Sequence, residues 1–405
     1  MQQINVPFFS LQKQTEKLTQ KIVTSFEYIL KTQQFIGGPL VNDFEKKLAQ
    51  FLGNNSQVIS CNSGTDGLWL ALKALDVKPQ SIVLTTPFSF IASSSEIIAL
   101  EAYPVMIDIE PETFNISPAL IQAWLEEYAT MQNGQAIHTK TGLPVEGMVI
   151  VDLFGQCADY QAIKNIAKNW NLWIIEDACQ AIGSHTNKQQ AGTFGDIGVL
   201  SFYPTKNLGA FGDAGCCVTD NPELAMRLTK LKNHGRASHY EYEEFGINSR
   251  LDTIQASILS IKLDELDSYN QRRREIAKFY NQELAALPFL QLPQEKVGHH
   301  VYHQYCAILK NNQERTAFIK HLTTHGIGSN IYYPKALTQI PFLNTHLDLI
   351  NVCPVAEHAS QTIVALPIWP ELEQHELVHV IETIKKFQPT VIINPTQPTV
   401  NAYAA

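Results

Sequence analysis

Hydrophobic and polar residues fall in alternating blocks along this 405-residue chain. Seven short apolar runs read as buried strands: Val58–Ser60, Ile82–Thr86, Pro104–Asp108, Met148–Phe154, Leu172–Glu176, Ile197–Tyr203 and Cys216–Thr219. Stretches with helical spacing separate most of them, roughly Thr65–Leu75, Ala92–Leu100, Pro118–Met131 and Tyr160–Trp170. Strand–helix alternation predicts a layered α/β domain around a mainly parallel sheet. Ahead of it, Leu18, Ile22, Phe26, Ile29 and Leu30 recur near helical spacing; Phe35-Ile-Gly-Gly-Pro39 breaks that helix, and Val41 to Leu52 starts another.

Beyond the seventh strand the pattern changes. Pro222 to His234 reads as a helix, and a long amphipathic helix from about Leu251 to Ala285 is expected to bridge to a second domain. The Arg272-Arg273-Arg274 triplet reads as its solvated face. A strand over Tyr302–Leu309 with helices over Arg315–His325 and Glu371–Phe387 predicts a small α+β domain. The boundaries expected are 1–260 for the large domain with its N-terminal helical segment, 261–388 for the small one, and 389–405 for a proline-bearing, poorly ordered tail. The polar stretch Glu127 to Gly147 is longer than the pattern requires and reads as a surface insertion, placed to reach the site or a partner subunit.

Composition narrows the class. Hydrophobic residues make up 45% and charged residues 17%, as in a globular enzyme and unlike a disordered chain. A formal charge of −9 argues against nucleic acid, whose phosphates need a basic face. The 7 cysteines are odd in number and include no C-x-x-C, so reduced core thiols in a cytoplasmic protein are the expectation. Met1-Gln-Gln-Ile has no basic start before an apolar run, and no window approaches the roughly 18 apolar residues of a membrane span.

The chemistry centres on Ser201-Phe-Tyr-Pro-Thr-Lys206-Asn-Leu-Gly209-Ala-Phe-Gly212-Asp-Ala-Gly215. One lysine in a glycine-rich loop leaves an apolar strand and meets no nearby carboxylate in sequence. Partial desolvation there favours the free amine, a nucleophile. Gly64-Thr65-Asp66 follows a strand and opens a helix, where backbone amides and a threonine hydroxyl suit a phosphate dianion, though the same residues also simply cap helices. Asp177 ends an apolar strand, where ligand crevices of α/β sheets open; capping the next helix is its other reading. His299-His-Val-Tyr-His303 resembles a metal cluster only superficially, because strand alternation divides it and no carboxylate supports it. The Gly209, Gly212, Gly215 spacing is not a dinucleotide fingerprint.

Four ordered segments, Ser201-Phe-Tyr-Pro-x-Lys206-Asn-Leu-Gly209, Asn62-Ser-Gly64-Thr65-Asp66, Glu176-Asp177-Ala-Cys-Gln180-Ala and Asn248-Ser-Arg250-Leu-Asp252, resemble the DegT/StrS family of pyridoxal-phosphate sugar aminotransferases from about Phe35 to about Pro370. The resemblance implies a fold-type I PLP transferase, with seven strands in the large domain. It implies that Lys206 holds pyridoxal 5'-phosphate as a Schiff base and serves as general acid/base, and that Asp177 keeps the pyridine nitrogen protonated. Gly64, Thr65 and Ser201 would contact the phosphate, Gln180 the ring hydroxyl and Phe90 the ring face, with Phe88 as a competing choice. Asn248, on a loop that in relatives crosses to the other subunit's cofactor phosphate, implies a homodimer with shared active sites; Arg250 would meet an acidic substrate group. His303, or Tyr332 and Tyr333, would wall the sugar pocket.

The implied reaction moves an amino group from L-glutamate, through pyridoxamine phosphate, to a keto sugar on a nucleotide diphosphate, for bacterial surface polysaccharide. Phe154 to Asp159, Asn-Ser-Arg-Leu-Asp-Thr, Val-Tyr-His-Gln-Tyr and Ala-Leu-Pro-Ile-Trp-Pro look closest to enzymes of UDP-3-keto-N-acetylhexuronic acids, with 3- or 4-keto-6-deoxyhexoses as the near alternative. Rival readings are a cyclitol aminotransferase, a PLP-dependent sugar dehydratase (which has histidine where Lys206 stands), and a catalytically silent regulatory protein on the same fold.

Overall fold

A computed structural model describes residues 4–53, 55–344 and 349–389; the expected tail lies almost wholly outside them. Strands β1 (Gln57–Cys61), β2 (Ile82–Thr85), β3 (Tyr103–Met106), β4 (Ala129–Gln132), β5 (Gln135–His138), β6 (Pro144–Val151), β7 (Trp173–Asp177), the two-residue hairpin β8–β9 (His185–Thr186, Gln189–Gln190), β10 (Ile197–Ser201) and β11 (Gly215–Thr219) cover the first half of the fold. All seven expected strands form, joined in the order β1-β11-β10-β7-β6-β2-β3. The pairs β10–β7, β7–β6, β6–β2 and β2–β3 are parallel, and β11 runs antiparallel to both neighbours. Their side chains are buried on both faces, which is why the runs are continuous in sequence.

The sheet has nine strands rather than seven, because the expected insertion folds as the β4–β5 hairpin. It joins β6 only at Pro144 and Val145. That is the N-terminal end of β6, whereas Val151 at the other end lines the site, about 20 Å away at strand rise. Within this chain the insertion therefore does not reach the site.

The long bridging helix breaks in two, Thr253–Leu263 and Leu266–Leu284. The turn at Asp264–Glu265 lets each half face its own core: Ala256, Leu259 and Leu263 join the large sheet, while Ile276, Ala277, Tyr280 and Leu284 face a second core. Arg273 lies on the inward stripe with Tyr269, Ile276 and Tyr280 and is 2% exposed. The solvated-face reading of the arginine triplet is thus wrong for its middle member, since helical periodicity turns one residue in three or four inward.

A β-hairpin β12–β13 (Arg236–Ser238, Glu241–Tyr242) precedes these helices. The second core packs helices Asn312–Thr324 and Gln374–Lys385 around an antiparallel sheet of β14 (Leu290–Gln291), β15 (Tyr305–Leu309) and β16 (Ile363–Leu366). Its middle strand starts three residues later than the apolar pattern predicts. Val6 packs in this core and bridges Ile327, so the first residues sit with the C-terminal half.

Candidate active site

The parallel strands end together, and the loops that leave them surround a cavity of about 510 Å³. Gly64, Thr65, Phe90, Asp177, Gln180, Ser201, Lys206, His303, Tyr332 and Tyr333 all line it. Asn248 and Arg250 do not; both are exposed on the single chain.

Helix Gly64–Ala74 points its N-terminus at the cavity. Ser63 Oγ accepts the Asp66 N–H at 3.0 Å and Ser63 O accepts the Gly67 N–H at 3.0 Å, so capping leaves the Gly64 and Thr65 amides for a ligand. Only glycine fits at the first helical position: a Cβ on Gly64 would lie 2.8 Å from Ser201 Cβ and 2.9 Å from Cys179 Sγ. Across the cradle, a Cβ on Gly215 would lie 2.4 Å from the Ser63 carbonyl carbon.

Asp177 is fixed from two sides. Ser93 Oγ donates to Oδ2 at 2.9 Å, and the Cys179 N–H reaches Oδ1 at 3.3 Å. Gln180 is aimed by its carbonyl oxygen, which accepts the Phe154 N–H at 2.9 Å, leaving Nε2 to donate to Tyr333 OH at 3.0 Å. Phe90 is 58% exposed and lines the cavity, whereas Phe88 is fully buried among Phe114, Phe154 and Tyr333. Of the two, only Phe90 lines the cavity.

Lys206 is half-buried, with its side chain on the cavity. Burial lowers its pKa from the ordinary 10.5, while Cys179 and Asp177 oppose the shift. The amine is therefore easier to deprotonate than a surface lysine, as a nucleophile requires. His303 is buried too, and desolvation, then the charges of Lys206 and Arg273, push its pKa well below 6.5. Neutral His303 meets Asn207 Oδ1 through Nδ1 at 3.2 Å. An amide oxygen only accepts, so Nδ1 carries the proton and Nε2 is left as an acceptor.

The three histidines of the apparent cluster have separate fates. His299 stacks on His185 at 4.5 Å between ring centres, His300 stacks on Tyr302 at 3.9 Å, and His303 alone lines the cavity. Among the described residues no group of three or more metal-ligating side chains comes together.

Sequence reasoning missed the residues that hold the site in place. Ser93 lies in helix Ala92–Ala99, where a serine gives no positional signal. Ser249, 0% exposed between Asn248 and Arg250, accepts the Asn62 N–H at 3.0 Å and donates to Asp66 at 2.6 Å, tying the Asn248 loop to the helix that carries Gly64.

A flat ring with an anionic arm matches this layout, with amides and hydroxyls at one end, a carboxylate on β7, an exposed aromatic and a depressed lysine. Three-dimensional relatives agree. S. venezuelae DesV, described in complex with a ketimine intermediate, superposes with a TM-score of 0.86 at 31% identity over 94% of this chain and 98% of that one. Ntda from Bacillus subtilis, with bound cofactor PMP, gives 0.83 at 29% identity over 94% and 84%. Fold and site together define a fold-type I, pyridoxal-phosphate-dependent aminotransferase.

Residues 16–385 match the model of the DegT/DnrJ/EryC1/StrS aminotransferase family, and the chain belongs to that family. It is 36% identical to a UDP-N-acetyl-3-dehydro-alpha-D-glucosamine 3-aminotransferase of Acidithiobacillus ferrooxidans, over 94% of this chain and 97% of that protein. It is also 36% identical to a "pleiotropic regulatory protein" of Geobacillus stearothermophilus, over 95% and 99%.

Proposed function

We propose that this protein transfers an amino group from L-glutamate to C3 of a UDP-linked 3-keto-N-acetylhexose. The observation that carries the reading is the convergence of Lys206, Asp177 and the Gly64–Thr65 helix end on one cavity. The similarity to the A. ferrooxidans enzyme supports the substrate class.

In this reading Gly64, Thr65 and Ser201 bind the cofactor phosphate, Phe90 covers the ring, Gln180 meets the ring hydroxyl, and Asp177 holds a proton at the ring nitrogen. Pyridoxal phosphate, when bound, supplies the carbonyl that takes up the amino group and a ring that delocalises the electrons freed at the donor's α-carbon. Lys206, whose amine burial makes easier to deprotonate, would move the proton from that carbon to the cofactor and, in the second half of the reaction, from the cofactor to C3 of the sugar. His303 Nε2 and the two tyrosine hydroxyls accept from and donate to sugar hydroxyls.

Apart from Lys206, the cavity lining carries no lysine or arginine, while Asp177 and Asp213 add negative charge. A phosphate and a nucleotide diphosphate need cations, which points to a second copy of the chain. Arg250 and Asn248 lie exposed on the loop that Ser249 ties down. Close by, Ile36 bridges Asp252, and Val23, Phe26, Leu30, Phe35 and Ile36 expose 42% or more of their surface. A homodimer that covers this apolar segment and shares its active sites fits both features, and Arg250 of the partner subunit would meet the acidic group of a hexuronic substrate. The cytoplasm is the compartment that supplies glutamate and UDP-sugars. No described helix is long and apolar enough to cross a membrane.

The reading is tested by supplying L-glutamate with UDP-N-acetyl-3-dehydroglucosamine, its 6-carboxylate, and a dTDP-4-keto-6-deoxyhexose. Release of 2-oxoglutarate with either UDP substrate is expected. Turnover of the dTDP sugar alone would overturn the substrate class, and no turnover with any would favour the regulatory reading.

A further inference from the structure

The segment that carries Lys206 is a tight turn. The Lys206 N–H donates to Tyr203 O at 2.8 Å, the Ala210 N–H to Phe202 O at 2.8 Å, and a Cβ on Gly209 would lie 2.3 Å from Pro204 O. Behind it runs helix Thr253–Leu263, on which Gln255 and Lys262, two turns apart, share a face. Gln255 brackets Phe211: its Oε1 accepts the Phe211 N–H at 2.9 Å and its Nε2 donates to Phe211 O at 3.3 Å. Lys262 is 1% exposed, donates from Nζ to Gly209 O at 2.5 Å, and sits 5.4 Å from the centre of the Phe211 ring. A buried ammonium is costly, and methionine would fill the same space; what lysine adds is a charged donor on one particular carbonyl.

We propose that Lys262 is a positioning residue whose buried ammonium pins the Gly209 carbonyl and thereby aims Lys206 into the cavity. The next helix grips the other side of the same turn. Asn207, beside Lys206, donates to Asn270 Oδ1 at 2.8 Å and meets His303, whose carbonyl accepts from Arg273 at 3.3 Å. The lysine turn is thus held at Gly209 by one helix and at Asn207 by the other. This inference rests on Lys206 being the cofactor lysine.

The test uses the full chain freed of cofactor. Pyridoxal 5'-phosphate is added, the adduct is trapped with borohydride, and peptide mass spectrometry reads the rate at which Lys206 itself is labelled. Hydrogen exchange of residues 202–211 reads the turn. Lys262→Met is expected to slow labelling of Lys206 by about tenfold or more and to speed exchange in the turn alone, with Lys262→Gln, which keeps a donor, recovering most of the rate. Wild-type labelling and exchange in Lys262→Met would overturn the proposal. Should that variant fail to fold, competitive methylation of the wild type decides: Lys262 is expected to resist, and methylation as fast as at exposed lysines would overturn it. Covalent uptake by Lys206→Ala at another lysine would instead refute the cofactor-lysine reading.

Discussion

At the residue scale, burial moves the proton affinities of Lys206 and His300 away from their solution values. Burial depresses Lys206, so its charged form destabilises the cofactor-free fold below the folded-state pKa, and that cost fades as pH rises toward 10.5. Cofactor-free Lys206→Met is therefore expected to be more stable than wild type near pH 7 in urea unfolding, with the advantage shrinking toward about pH 10; a difference independent of pH would contradict the depressed amine. His300 carries the same logic into acid. Burial first, then Arg274, pushes it down to about 3 from 6.5, so the unfolded chain binds a proton that the folded one refuses. Each such histidine costs about 1.4 kcal/mol of stability per pH unit as pH falls between those two values. His300→Asn, which keeps an acceptor for the Tyr302 N–H, is expected to flatten the acid limb of the stability profile by that slope. Lys206, Asp177 and Gly64 were legible in sequence because each stands at the end of a strong apolar run. Ser93, Ser249 and Lys262 were not, because their partners are distant in sequence and a serine on a helix or loop, or a lysine on a helix, has many uses.

At the element scale, the loops at the strand ends line the cavity and the helices behind them hold the geometry. Gly64 shows how little room the cradle has. Gly64→Ala is expected to weaken cofactor retention by at least about tenfold, because the new methyl must displace Ser201 or Cys179; equilibrium dialysis of pyridoxal phosphate measures it. The β4–β5 hairpin gives the opposite expectation. Replacing residues 130–137 by a short turn should leave kcat/KM within about twofold while lowering stability by about 1–3 kcal/mol, since Ala129 and Ala136 pack in the core. The seven strands were readable because each is buried on both faces. The hairpin was not, because its two strands have only four residues each and half of their positions are exposed. The break at Asp264–Glu265 was hidden for another reason: both halves share one helical periodicity, and only the tertiary fold shows that they face different cores.

At the scale of the whole molecule, one chain brings Lys206, Asp177 and the Gly64 helix end to the cavity, with no other lysine or arginine in its lining. A shared site predicts that inactive Lys206→Ala and inactive Arg250→Ala proteins regain activity when mixed and allowed to exchange subunits, because one of the two hybrid sites is then intact. No recovery would place Arg250 in its own chain's site. The family and the ordered motifs were legible in the sequence; a dimer was implied only by resemblance, and the exposed apolar segment now gives it a physical motive. The central claim is that Lys206 carries the cofactor and glutamate supplies the amino group. The most direct measurement is the visible absorbance of the purified protein loaded with pyridoxal phosphate, with and without L-glutamate, beside Lys206→Ala. The account predicts a yellow band in wild type that glutamate bleaches and that the variant lacks. A wild type that stays colourless with added pyridoxal phosphate, or a variant that bleaches like it, would contradict the claim.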